Sequence, residues 1–140
     1  MIVKDRLRSL RNEVIEIKKL QEKRDWMWNS LLPKAIIISK DKVQTSNPTD
    51  SIGDKLAEVS DLEKIIEQRI KKLVANHIEM EKLINKLEDS RYRLVLELYY
   101  LSTRRMTWDE VAQAMGYSTA EIYKVHGRAL QELELFCKSV

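Results

Sequence analysis

Thr107-Trp-Asp-Glu-Val-Ala-Gln-Ala-Met-Gly-Tyr-Ser-Thr-Ala-Glu-Ile-Tyr-Lys-Val-His-Gly-Arg128 decides the fold, because its spacing fits two short helices around one tight turn. Ala112 is small where two helices must cross closely, Gly116 stands in the turn, and Ile122 is apolar on the second helix. Glycine tolerates the positive φ that such a turn needs. Val111, Met115, Ile122 and Val125 give the pair its facing apolar sides. Capping chemistry sets the same boundaries. Thr107 with Glu110, and Ser118 with Glu121, each match a capping box, in which a hydroxyl and a carboxylate three residues later satisfy each other's backbone N–H. The stretch reads as a helix-turn-helix, and its second helix has a shape that fits the DNA major groove.

Outward from this motif, Ser90 to Leu101 predicts a further helix. Tyr92, Val95, Leu96, Leu98, Tyr99 and Leu101 form its apolar surface, with Leu94 added to it. The turn at 102–107 exposes Arg104 and Arg105 beside the motif. On the second helix of the motif Ile122, Val125, Ala129, Leu130 and Leu133 face inward. The opposite face presents Thr119, Ala120, Tyr123, Lys124, Gly127 and Arg128, with Ser118 at its start. Thr119 can bond a base or a phosphate, and Ala120 can touch a thymine methyl. Tyr123 and Lys124 are next in reach, while Arg104, Arg105 and Arg128 suit phosphate contacts that position the module. These nine residues are the candidate DNA-binding set. His126 lies at the edge of the face and reads as a surface or packing residue. Asp109 and Glu110 sit in a helix's first turn, where capping and dipole compensation account for them better than an acid–base pair or a metal site.

Composition permits this reading without compelling it. Charged residues make up 34% of the 140-residue chain, aromatics 6%, and 3 Gly and 2 Pro leave few helix breakers, so long helices are favoured over sheets. The net charge of +3 is mild. Residues 90–140 carry seven basic side chains against six acids, a net of +1. Phosphate neutralisation supplies much of the affinity for DNA, so this module needs a second copy, a neighbouring site or another protein on the same DNA. Cys137 is the only cysteine, which removes any internal disulfide framework, and with His77 and His126 far apart no zinc site is expected. No catalytic nucleophile–base pair and no phosphate-binding glycine loop stands out, so neither an enzyme nor a cofactor is expected. No apolar run is long enough to span a bilayer, and the charged start lacks a signal-peptide core; the expected location is the cytoplasm.

The first part of the chain carries two heptad seams. Val3, Leu7, Leu10, Val14 and Ile17 recur in steps of four and three; Gln21 and Arg24 then occupy the seam before Trp28 and Leu31 resume it. Pro33 is expected to close that helix, because the residue before a proline is pushed out of helical geometry. Residues 33–53 are expected to be a loop, with Ala35-Ile-Ile-Ile-Ser39 as a short strand or a buried extended piece. The second seam runs from Leu56 and Val59 through Glu63, Ile66, Ile70, Leu73, His77, Met80 and Ile84 to Leu87. Glu63 and His77 mark thin points of that seam. The two helices carry charge of opposite sign, which suits pairing along their flanks. An all-α fold follows, with an antiparallel helical hairpin over 1–89 and a helix-turn-helix domain over 90–140. A homo-oligomer through the N-terminal helices is equally consistent with the seams.

Arg91-Tyr-Arg-Leu-Val-Leu-Glu-Leu-Tyr-Tyr-Leu101, the motif from Thr107 to Ser118, and Ile122-Tyr-Lys-Val-His-Gly-Arg-Ala-Leu-Gln-Glu-Leu133 together resemble the promoter-reading C-terminal region of bacterial sigma factors. Arg128-Ala-Leu-Gln-Glu-Leu133 is similar to that region's closing basic-Ala-Leu-x-x-Leu tail. The full layout, including Val43-Gln-Thr-Ser46, resembles phage late-gene regulators of the ArpU/RinA type. The resemblance implies binding to double-stranded DNA at a promoter and contact with RNA polymerase. Lacking any region expected to melt DNA or grip the polymerase core, the chain would assist a holoenzyme rather than replace its sigma subunit. Two alternatives stand beside this: a small-terminase-like packaging protein, and an adaptor that binds polymerase without reading DNA.

Overall fold

The computed structural model describes residues 1–41 and 46–138. They form five helices: α1 (Ile2–Asp41), α2 (Ser46–Ile84), α3 (Ser90–Tyr100), α4 (Trp108–Met115) and α5 (Thr119–Lys138). The expected all-α class is the observed one, and no strand occurs among the described residues.

The loop expected over 33–53 is largely helix. α1 passes through Pro33 to Asp41, and α2 has begun by Ser46, so Ala35–Ser39 is neither strand nor extended. Residues 42–45, which include most of Val43–Ser46, lie outside the described residues. The reason is that a proline inside a helix removes one hydrogen bond and costs about 3 kcal/mol, but does not erase the pattern around it. Trp28, Leu31, Ala35 and Ile38 continue the three-four spacing across Pro33. Pro48 lies in the first turn of α2, where backbone N–H groups have no intrahelical partner to lose.

The chain divides into two compact units. In the unit of residues 16–71, α1 and α2 run antiparallel, the hairpin arrangement of the two that the seams allow. Arg69 pairs with Glu16 at 2.5 Å, and Trp28 Nε1 donates to Glu63 Oε1 at 3.0 Å. Ile17, Leu31, Val59 and Ile66 are buried between them. Glu63 is exposed, as a thin point of the seam should be, and it is also a partner of Trp28 across the hairpin.

The other unit comprises Met1–Ile15 and Lys72–Val140. A boundary near residue 89 falls inside it, at the turn between α2 and α3. Val3, Leu7 and Leu10 of α1 share one apolar core with Met80, Ile84 and Leu87, and with Val95, Leu96, Val111, Ile122 and Leu133 of the last three helices. Leu94 does not join this core and is 42% exposed, whereas Tyr100, which the helical pattern did not single out, is buried. Arg93 donates to the Leu87 and Glu88 carbonyls and so ties down the turn between α2 and α3, while Asp89 caps α3 by accepting from Arg91 N–H at 2.9 Å.

Two polar clamps fix the start of α1 in this unit. The Glu134 carboxylate, 8% exposed, accepts from Val3 N–H at 3.0 Å, placing a negative charge at a helix N-terminus where the backbone offers unpaired donors. Arg11 donates to the Tyr99 carbonyl at 3.0 Å and to the Met106 carbonyl at 2.6 Å, and its guanidinium lies 4.0 Å from the Tyr99 ring centre. Burial draws the Arg11 pKa below its ordinary value.

Candidate nucleic-acid interface

The turn between α4 and α5 has the geometry that its residues demand. Thr107 and Glu110 form a complete capping box at the start of α4. Gly116 takes φ 74° and ψ 28°, the left-handed conformation. Tyr117 N–H then bonds the Ala112 carbonyl at 2.9 Å and Gly116 N–H bonds that of Gln113 at 3.3 Å, a Schellman closure that satisfies carbonyls the helix end leaves open. At α5 the Ser118 hydroxyl accepts from Glu121 N–H at 3.2 Å. The Glu121 carboxylate makes no return bond among the described residues, so this second box is half formed. Ala112, Val111, Ile122 and Val125 are buried at the crossing of the two helices.

Opposite that crossing, Ser118, Ala120, Tyr123, Lys124 and Arg128 are exposed and Thr119 and Gly127 half-buried. The structure thus brings the candidates on α5 to one face. The two candidates from the α3–α4 turn differ. Arg104 is paired with Glu110 at 2.6 Å and holds that carboxyl below its usual range, so it is already partly committed. Thr119 likewise donates to Asp109 at 3.3 Å. Arg105 makes no hydrogen bond or ion pair among the described residues and lines a pocket that spacing alone did not reveal.

That pocket, about 400 Å³, is walled by Lys4, Arg8, Arg11 and Asn12 of α1, Tyr99 and Tyr100 of α3, Arg105, Trp108 of α4, and Tyr123 and His126 of α5. It holds four cationic side chains and no carboxylate. Its aromatic floor is ordered: Trp108 stacks on Tyr99 at 3.7 Å, with Tyr123 and His126 edge-on to Trp108 at 5.6 and 4.4 Å. Tyr100 and His126 share a hydrogen bond of 2.7 Å. Burial, then the nearby Lys4 and Arg8, pushes the His126 pKa down to about 4, so the ring is neutral at physiological pH. Burial also raises Tyr100 to about 12.

The residues that sequence reasoning missed are Lys4, Arg8 and Arg11. Their signal was present as basic side chains beside the first seam, but the seam's period does not say which partner those flanks face. Among the described residues no group of His, Cys, Asp and Glu side chains could hold a metal, and no helix is long and apolar enough to cross a membrane.

Fold and site together define an all-α protein with a helix-turn-helix beside a basic, aromatic-floored pocket. The chain belongs to DUF1492, a family of proteins of unknown function, which matches residues 34–134. Neither a curated protein nor a solved structure matches it.

Proposed function

We propose that this protein is a sequence-specific DNA-binding transcription regulator, a non-enzymatic phage or prophage late-gene activator that works with host RNA polymerase in the cytoplasm. The observation that carries the DNA-binding reading is the exposed face of α5, from Ser118 to Arg128, presented by a Schellman turn at Gly116. An exposed helix face held by a tight turn is what major-groove reading requires. The promoter and polymerase parts rest on the sigma-like residues Arg91–Leu101 and Ile122–Leu133. The 16–71 hairpin pairs two copies, a role for which Trp26, 68% exposed, and the exposed Ile65 are available.

Selection from a pool of random duplexes tests the reading. A preferred site is expected, and Lys124→Ala should relax preference at one or two positions, costing about 1–3 kcal/mol there. Tyr123→Phe is the appropriate companion, because it keeps the ring against Trp108 while removing the hydroxyl. A pool without any enriched sequence would remove the promoter-reading function. Polymerase capture that survives nuclease treatment and Lys124→Ala would instead favour the adaptor, and ring assemblies that stimulate packaging would favour the terminase alternative.

A further inference from the structure

The pocket beside the reader helix is distinct from the face that would meet base edges, and its chemistry points to a different part of the same ligand. Lys4 and Arg8 stand one turn apart on α1, and Arg105 faces them from the α3–α4 turn. None of the three side chains forms an ion pair or hydrogen bond among the described residues. Arg11, by contrast, is spent on two backbone carbonyls and serves to hold α1 against the end of α3. Like charges gathered without a carboxylate repel one another, a cost that a bound anion would relieve. Tyr123 belongs both to this wall and to the exposed face of α5, so the cations continue directly from the candidate reading surface. A helix lying in the major groove has phosphate backbones on its flanks, and contacts to them fix register without reading sequence.

We infer that Lys4, Arg8 and Arg105 form a phosphate clamp: the N-terminal helix, together with the α3–α4 turn, grips the phosphodiester backbone of the DNA that α5 reads. This rests on the proposed DNA-binding function and adds to it the part of the molecule that supplies the missing charge. The clamp also explains how a C-terminal segment of net charge +1 could hold DNA. Arg105 belongs to that segment, and Lys4 and Arg8 add two cations from the far end of the sequence.

The test is the salt dependence of duplex binding by the full chain. Each phosphate neutralised contributes about 0.9 to the slope of log affinity against log salt. The triple variant Lys4→Gln, Arg8→Gln, Arg105→Gln should flatten that slope by nearly three while keeping the wild-type order of preference among sequences. Restoring charge as Arg8→Lys and Arg105→Lys, with Lys4 intact, should recover the slope. A second triple variant, Lys72→Gln, Lys82→Gln, Lys86→Gln, removes equal charge from the exposed side of α2 and the turn after it, and should leave the slope within one unit of wild type. Far-UV circular dichroism and melting verify that each variant is folded.

Equal flattening by both triples would overturn the clamp, because net charge alone would then explain the effect. So would a folded clamp variant with an unchanged slope. If the wild type binds duplexes without preference yet the clamp variant still flattens the slope, the clamp stands and the sequence-reading function falls. If the wild type binds no duplex at all, both fall. Saturable binding of free nucleoside triphosphate that is lost in the clamp variant, with duplex binding unaffected, would overturn the DNA clamp and reassign the cations to a small phosphate ligand.

Discussion

Gly116 is the residue on which the chain turns from α4 into α5. Its φ of 74° is sterically unfavourable for residues with a Cβ, although nothing lies within 4 Å of where that Cβ would be. Gly116→Ala should therefore destabilise by about 1–2 kcal/mol through backbone strain alone. Gly116→Asn should cost less, since asparagine visits this region more readily. Thermal melts of the pair would check the order. His126 gives a second test at this scale. Its pKa falls from an ordinary 6.5 to about 4 on folding, so between those values the unfolded chain binds more protons than the folded one. Its contribution is fully present above pH 6.5 and is lost as the pH drops through 4. His126→Gln should flatten the stability profile in that window by on the order of 1 kcal/mol once solvent screening is allowed for. Unfolding curves between pH 4 and 7 would show it, and an unchanged slope would mean the ring is as solvated as in a free peptide.

At the scale of elements, the capping residues and Gly116 made the boundaries of α4 and α5 legible, because local chemistry there determines local structure. Heptad spacing likewise revealed most of α1 and α2, and left their antiparallel pairing as one of two arrangements that fit the seams. It failed where one strong local rule was set against a long pattern: Pro33 announced an end, and the helix ran on through it. It also could not tell what covers each stretch of seam. Val3, Leu7 and Leu10 share one period with Ile17, yet they pack with α3 to α5 as well as α2. Tyr100 was missed and Leu94 misjudged because adjacent apolar residues on α3 leave its inward face ambiguous. A consequence can be measured. Leu7→Ala removes a fully buried side chain and should cost about 2–5 kcal/mol. Hydrogen exchange should then rise in α3 to α5, far along the sequence from the substitution. Faster exchange confined to residues 1–31 would instead mean that α1 is a separate element.

For the whole molecule, the summed charge of +3 is a poor guide, since what matters is where cations gather. The set Lys4, Arg8, Arg11 and Arg105 could not be found by counting charge in windows, because it joins residues about a hundred positions apart. Arg69–Glu16 and Trp28–Glu63 hold the hairpin's two helices in register, leaving Trp26 turned outward. Sedimentation at micromolar concentration should give a dimer, and Trp26→Glu should shift it to monomer without changing helix content. A monomeric wild type would remove the pairing role.

The bond from Val3 N–H to Glu134 spans 131 residues, nearly the length of the chain. During synthesis α1 and α2 can meet long before α5 exists, whereas this unit closes only after its last helix has emerged. The start of α1 must wait for α5 with part of its apolar side uncovered. Fragments that stop short of α5 would thus be prone to aggregate, and those that begin after α1 would lack part of the core on which α5 rests.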